Sequence, residues 1–179
     1  MVATLGEAHP VLFRYDGPKT ATLSLGPPES RAGVKLQGTG GPFFFSLRQL
    51  LAVIPADDGR HQLRTSEYKY TIRASDGDLA EPLLRWEYVS EVPAGKTWCR
   101  HHFQIGRLEQ KAVELPFNGG TLDLNRLHTP TGYVLIEYVL RFLLTDMGVT
   151  PASDDWERVL TDSEDAFFRR FSERTSQAP

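Results

Sequence analysis

The sequence predicts an α+β fold in which two carboxy-terminal helices pack on an antiparallel, meander-rich sheet. Short, partly alternating segments lie between Gly- and Pro-rich turns in the amino-terminal third, a hairpin pattern occupies the middle, and two helical patterns end the chain. A length of 179 residues fits one domain. We therefore predict a single domain over residues 1–174 and a flexible tail over residues 175–179.

The amino-terminal third is predicted to be mostly strand. Residues 11–15, 20–25 and 34–37 are short and partly alternating, and turn-forming residues separate them. One short helix is predicted after these strands, over residues 47–54. Its four large apolar residues recur at helical spacing, Ser46 precedes it as a cap, and Pro55 ends it.

The middle of the chain is predicted to form a three-stranded meander over residues 68–73, 83–89 and 98–105. The first segment alternates apolar and polar residues, and Asp76-Gly77 supplies a turn before the second. A Pro-Ala-Gly sequence at 93–95 separates the second segment from the third.

Two helices are predicted at the end of the chain. The first opens at Thr129 with Pro130, or at Thr131, and has residues 133–145 as its interior. Gly148 follows at the position of a carboxy-terminal cap. Its apolar residues cover most of the circumference, so we expect a buried helix with Phe142 in the core. The second covers residues 154–173 after Ser153, with an apolar face and an acidic first turn.

Charge and composition exclude several classes of function. The net charge is −3, and even the most basic part of the chain, residues 60–111, carries only nine Lys/Arg against seven Asp/Glu. Obligate DNA binding is therefore disfavoured, because it requires a strongly basic surface. The sequence has neither a membrane-spanning apolar run nor a signal-peptide pattern, which predicts a cytoplasmic protein without membrane contact. A single cysteine, Cys99, and the lack of nucleotide-binding and zinc motifs predict no metal and no cofactor.

The candidate chemistry lies in the predicted meander. Strand alternation places Arg100, His102 and Gln104 on one face, with Cys99, His101 and two apolar residues on the other. The same alternation in the preceding strand places Arg85 and Glu87 together, and we expect them to share a polar surface with the first group. His128, just before the apolar helix, is expected nearby. Metal-free RNA cleavage needs proton donors and acceptors, which His and Tyr supply, and phosphate-binding cations such as Arg.

The middle of the chain also resembles a family of small bacterial toxin–antitoxin toxins that are proposed to act as ribonucleases. The resemblance rests on five elements, in the order Tyr68-Lys-Tyr70, Asp76-Gly77, Leu84-Arg85-Trp86-Glu87-Tyr88, His101-His102-Phe103 and His128-Thr-Pro-Thr131. It covers about half of the chain, and Glu87 stands where the family usually has Asp. It marks Tyr68, Tyr70, Arg85, His101 and His102.

Two hypotheses of different classes follow. The first is a toxin-like, metal-independent ribonuclease with His101, His102 and Tyr70 as catalytic residues, and with RNA bound by Arg85, Arg100, Tyr68 and His128. Its partners would be RNA and a cognate antitoxin. The second is a non-catalytic binding protein, such as an antitoxin, an immunity protein or a phage-defence accessory protein, which acts through protein–protein contacts. For any single histidine or arginine of the set, a solvated or ion-paired role remains the competing interpretation.

Overall fold

The computed structural model describes residues 11–25, 33–55, 59, 61–76, 82–92, 94–95, 99–106, 114–117, 120–123 and 128–176. Within them lie ten strands and two helices. The strands are β1 Val11–Gly17, β2 Thr20–Leu25, β3 Val34–Gly38, β4 Gly41–Pro55, β5 His61–Arg73, β6 Pro82–Val89, β7 His101–Ile105, β8 Glu114–Phe117, β9 Gly120–Asp123 and β10 His128–Pro130. The helices are α1 Ile136–Thr145 and α2 Trp156–Ser176. The α+β class predicted from the sequence is confirmed.

Eight strands form one sheet whose order is β1-β2-β4-β5-β6-β7-β10, with β3 paired to β4 beside this path. The pairs β1–β2, β2–β4, β4–β5, β5–β6, β6–β7 and β7–β10 are all antiparallel. Strands β8 and β9 pair separately as a hairpin. Contacts divide the chain into two compact units, one with the described strands up to Tyr133 and one with Gln37–Gly41 and both helices.

The predicted helix over residues 47–54 is wrong, because this segment belongs to β4. Phe43, Phe45 and Leu47 are buried, whereas Phe44, Ser46 and Arg48 between them are more exposed, which is the two-residue period of a strand. The apolar residues of this eight-residue segment fit helical and strand spacing alike, and the pairing of the segment with both β2 and β5 decides between the two. Ser46 caps no helix; its Oγ instead accepts a hydrogen bond of 3.0 Å from Arg73 Nη1.

The predicted meander is confirmed as β5, β6 and β7. Strand β5 is longer than predicted and begins at His61, because its first half pairs with the end of β4. Strand β7 is shorter and begins at His101, while Cys99 and Arg100 lie before it and Trp98 lies outside the described residues. The turn residue Gly77 also lies outside the described residues. These three strands fix the positions of nearly all the candidate site residues.

The apolar helix α1 begins at Ile136, three residues after the start of the predicted interior, and Leu135 at its N-cap is extended. Gly148 follows the helix in a left-handed conformation with φ +68°. Phe142 is not the core residue that the apolar pattern predicts, because it is only partly buried. Leu143 and Val139 are buried almost completely. The apolar pattern covers so much of the circumference that it does not determine which side faces inward.

Two polar residues of α1, Glu137 and Arg141, contact α2. Ser163 Oγ donates a hydrogen bond of 2.5 Å to the buried Glu137 carboxylate. Arg141 lies 3.7 Å from Glu157 and 3.8 Å from Glu164 at ion-pair distances. Helix α2 extends to Ser176, two residues into the predicted tail, and residues 177–179 lie outside the described residues. Neither described helix is long and apolar enough to span a membrane.

Candidate active site

The pairing of β5, β6 and β7 separates the candidate residues onto the two faces of the sheet. In one cross-strand row Tyr68 lies opposite Tyr88, which lies opposite His101. In the neighbouring row Lys69 lies opposite Glu87, which lies opposite His102. Because successive side chains point to opposite faces, we call the first the aromatic face and the second the polar face. The aromatic face carries Tyr68, Tyr70, Trp86, Tyr88, His101 and Phe103; the polar face carries Lys69, Thr71, Arg73, Arg85, Glu87, His102 and Gln104.

His101 lies in a cluster of tyrosines on the aromatic face. Its ring stacks on Tyr88 with a centroid distance of 4.3 Å and an interplanar angle of 13°. The Tyr68 hydroxyl lies 3.5 Å from Nδ1, and the Tyr133 ring approaches edge-on at 5.5 Å. Tyr133 also meets Tyr68 and Tyr88 edge-on. The cluster therefore holds one imidazole among three phenol rings, of which Tyr133 is exposed.

The pKa of His101 is lowered from its ordinary value of 6.5 by partial burial and, to a smaller extent, by the charge of Arg100. The imidazole is therefore mostly neutral at pH 7 and has a lone pair that can accept a proton. Arg100 is exposed and directly precedes His101 in the chain. This arrangement places an uncharged base beside an exposed cation.

Tyr70 shares the aromatic face but lies deeper. It is fully buried, stacks on Tyr68 at 4.7 Å, and its hydroxyl accepts a hydrogen bond of 2.7 Å from Gln49 Nε2. A side chain in this position supports its neighbours and does not meet a solute. Of the three predicted catalytic residues, only His101 is partly exposed on the aromatic face.

His102 occupies the polar face and is also buried, with 1% of its surface exposed. Its Nδ1 lies 3.2 Å from the Cys99 carbonyl oxygen, and its Nε2 lies 3.1 Å from Glu87 Oε2. The Cys99 carbonyl oxygen and Glu87 Oε2 are both hydrogen-bond acceptors, whereas a neutral imidazole donates from one nitrogen only. These contacts tie β7 to β6 and to the segment before β7, so the geometry indicates a structural role for His102.

Glu87 is the centre of the charged contacts on the polar face. Lys69 Nζ lies 2.9 Å from Oε1, and Arg85 Nε and His102 Nε2 lie 3.2 Å and 3.1 Å from Oε2. Burial by itself raises the pKa of Glu87, but the hydrogen bond and charge of Lys69, with the charges of Arg85 and His102, outweigh it and lower the pKa. The carboxylate is thus ionised and bound to three nitrogen groups.

The other predicted substrate-binding residues are divided between the faces. Arg85 lies on the polar face and donates from Nη2 to Gln104 Oε1. His128 lies in β10, where its backbone is opposite Gln104. Tyr68 contacts His101 but is itself buried. The structure therefore does not bring Arg85 and His101 to one surface, since adjacent rows of a sheet point in opposite directions.

The sequence prediction missed the two residues that form most of the His101 cluster, Tyr88 and Tyr133. In the sequence, Tyr88 falls on the face of its strand opposite to Glu87, just as His101 falls opposite to His102. This shared alternation could have predicted that Tyr88 and His101 lie together. Tyr133 offered no such signal, because it lies outside any described strand or helix and reaches His101 only through tertiary structure.

Metal binding finds no support in the part of the chain that the structure describes. There, no group of three or more His, Cys, Asp and Glu side chains is arranged to hold an ion. Comparison of the chain with protein-family models, curated proteins and solved structures finds no match. Its function must therefore be argued from the site itself.

Proposed function

We propose that the chain is a metal-independent ribonuclease with His101 as its reactive residue, acting as the toxin of a bacterial toxin–antitoxin or defence system. The observation that supports this best is a partly exposed histidine whose pKa is lowered, which lies among tyrosines and is directly preceded in the chain by an exposed arginine. Neutral imidazole, phenol and guanidinium supply the base, the acid and the phosphate ligand that cleavage at a 2′-hydroxyl requires.

In this reaction His101 takes the proton of the ribose 2′-hydroxyl, and the 2′-oxygen forms a bond to phosphorus. The bond from phosphorus to the 5′-oxygen breaks, and Tyr133, the most exposed phenol of the cluster, donates a proton to that oxygen. Arg100 offsets the negative charge on the phosphorane. The products are a 2′,3′-cyclic phosphate and a 5′-hydroxyl. Solvent then takes the extra proton from the His101 imidazolium and restores one to the Tyr133 phenolate. The exposed edge of the tyrosine cluster offers an aromatic surface for stacking a base.

The test is cleavage of an end-labelled RNA by the purified protein in the presence of EDTA. His101→Ala should lower the rate by about 10²-fold or more, as expected for loss of a general base. His61→Ala is the matched control, since His61 is an exposed histidine on β5. Substrate with 2′-deoxyribose at the cleaved position should remain intact. Equal rates for His101→Ala and the wild type would refute the assignment, as would cleavage that EDTA abolishes.

The rate should also depend on pH in a defined direction. Because the pKa of His101 is lowered from 6.5, its neutral, basic form persists below that pH. More than half of His101 is therefore in this form at pH 6.5, and the rate is expected to fall to half of its plateau value only at a more acidic pH. Growth arrest on expression, lost with His101→Ala, would link the activity to a toxin role.

A second candidate function, a non-catalytic protein-binding module, is favoured by the edge strand β1. Phe13 and Tyr15 lie two residues apart and share one face of this strand. Their rings contact each other edge-on at 5.2 Å, and the two residues are 45% and 67% exposed. Strand β1 pairs with β2 and ends the sheet. An exposed aromatic edge strand is a suitable surface for pairing with another chain.

This alternative predicts that a Phe13→Ser, Tyr15→Ser double variant loses binding to the product of a neighbouring gene when the two are co-expressed and purified. Leu63→Ser is the matched control, because Leu63 is an exposed apolar residue of β5 in the same sheet. Retained binding by the double variant, or equal loss in both, would exclude β1 as the binding surface.

A further inference from the structure

A buried hydroxyl lies at the centre of the polar face. Thr71 has 1% of its surface exposed, and its Oγ1 has no hydrogen-bond partner among the described residues. Ser46 lies opposite it on β4, and Arg85 lies opposite it on β6. Along β5, Lys69 and Arg73 occupy the same face one period away on either side. The hydroxyl is therefore surrounded by three cationic side chains and a serine.

A second donor in this group also lacks an acceptor in the part of the chain that the structure describes. Arg85 Nε is buried without a hydrogen bond, although it lies 3.2 Å from Glu87 Oε2. The distance is that of an ion pair, but the N–H is not directed at the carboxylate. A buried donor without an acceptor destabilises the folded state, because it has lost its hydrogen bonds to water. Two such donors, Thr71 Oγ1 and Arg85 Nε, lie in neighbouring cross-strand positions.

Arg73 and Arg85 both lie next to Thr71 on the polar face. The pKa of Arg73 is lowered by burial and by the nearby charge of Arg85. Glu87, the carboxylate of the neighbouring cross-strand row, already contacts three nitrogen groups. Negative charge placed between Arg73 and Arg85 would relieve their repulsion.

We propose that the polar face binds a tetrahedral oxyanion of the phosphate type at Thr71, between the Arg73 and Arg85 guanidiniums. One oxygen accepts from the Thr71 hydroxyl and another from Arg85, which presents several donors in a fixed plane that matches phosphate. Arg73 supplies the balancing charge. The site goes beyond the proposed ribonuclease, because it lies on the face of the sheet opposite His101 and so cannot hold the phosphate being cleaved there.

The border of the proposed site is partly open to solvent. The Lys69 and Arg85 side chains that border the site are 45% and 23% exposed. Beside them, Arg48, Lys69 and Glu87 line part of a depression of about 230 Å³. Long-range attraction from these cations favours the approach of an anion to this part of the polar face. The chemistry fits either free phosphate or the terminal phosphate of a polynucleotide.

The test is calorimetric titration of the full chain with inorganic phosphate, at an ionic strength held constant with sodium chloride. Thr71→Val, which has almost the same shape, should weaken binding about tenfold through loss of one hydrogen bond to a charged group. Arg85→Gln should weaken it at least as much. Arg64→Gln is the control, because Arg64 is an exposed arginine elsewhere on β5.

The melting temperature of Thr71→Val is a second measurement, and it distinguishes loss of a phosphate contact from misfolding of the variant. Without phosphate its melting temperature should equal or exceed that of the wild type, because the buried hydroxyl with no acceptor is removed. With phosphate the wild type should gain more in melting temperature than the variant, as linkage requires for a ligand of the folded state. His101→Ala should bind phosphate like the wild type, so failure of the ribonuclease proposal would leave this result unchanged.

Two oligodeoxynucleotides separate the sources of the anion. A 5′-phosphorylated strand that binds more tightly than its 5′-hydroxyl counterpart indicates a terminal phosphate, and binding of inorganic phosphate alone indicates the free ion. Because both strands lack a 2′-hydroxyl, the proposed ribonuclease cannot cleave them. The proposal is overturned if phosphate has no effect beyond that of chloride, or if Arg64→Gln weakens binding as much as Arg85→Gln does.

Discussion

Replacing Leu143 with alanine is expected to lower the free energy of unfolding by about 3–5 kcal/mol. Leu143 lies in α1 and is fully buried, so truncation removes apolar contacts and leaves a cavity that its neighbours fill only in part. A loss of this size is a large share of the ~5–15 kcal/mol that stabilises a typical domain. Denaturation by urea, followed by circular dichroism, measures it.

Phe142→Ala provides the comparison within the same helix. Phe142 is adjacent in sequence and larger, but it is only partly buried, so its truncation should cost less than that of Leu143. Size alone would reverse this order, since losing a fully buried phenylalanine costs as much as or more than losing a leucine. A larger effect at Phe142 would mean that α1 presents a different side to the core.

Six of the strands, β1, β2, β3, β5, β6 and β7, and the two carboxy-terminal helices could be predicted because their patterns agree with local turn chemistry. Strand β2 has the bounds that the sequence predicts, and β1, β3 and β6 differ by one or two residues at an end. Gly- and Pro-rich segments separate these elements and fix where they stop. Strand β10 was missed because three residues are too few to show any period.

The false helix at residues 47–54 shows where local patterns fail. The large apolar residues of this segment fit an i, i+3, i+4 series, but Phe43 and Phe45 before them continue the alternation that ends at Leu47. A bulge between Leu50 and Leu51 then shifts the register and breaks the period. Because the bulge arises from pairing with β5, the segment alone does not contain the information that identifies it.

For the candidate site, alternation predicts faces but not depth. It correctly places Arg85 and Glu87 beside Gln104 and His102, and the observed cross-strand pairs confirm this. Whether a side chain is buried depends on what packs on that face of the sheet. The two-residue alternation of a strand carries no information about this. His102 and Tyr70 therefore looked as available to a ligand as His101, although only His101 is partly exposed.

Glu87→Gln is expected to destabilise the protein by about 3 kcal/mol, the lower end of the range for breaking a buried ion pair by removing one partner. The substitution keeps the shape of the side chain but removes the charge that Lys69, Arg85 and His102 face. His102 is the most affected, because it is the most deeply buried of the three. Glu67→Gln is the matched control on β5, where an exposed glutamate should change stability by less than about 0.5 kcal/mol.

The pH dependence of stability should identify the same carboxylate. Since the pKa of Glu87 is lowered in the folded state, its contribution is present above the unfolded value of 4.5 and is lost as the pH falls through the folded value. Asp16 and Asp155 also have lowered pKa values, so the informative quantity is the difference between the wild type and Glu87→Gln. That difference should be largest above pH 4.5 and should shrink on further acidification, as Glu87 becomes protonated and resembles glutamine in charge. A difference that stays constant down to pH 2 would show that glutamine disturbs packing and that the ionised carboxylate does not stabilise the β6–β7 pair.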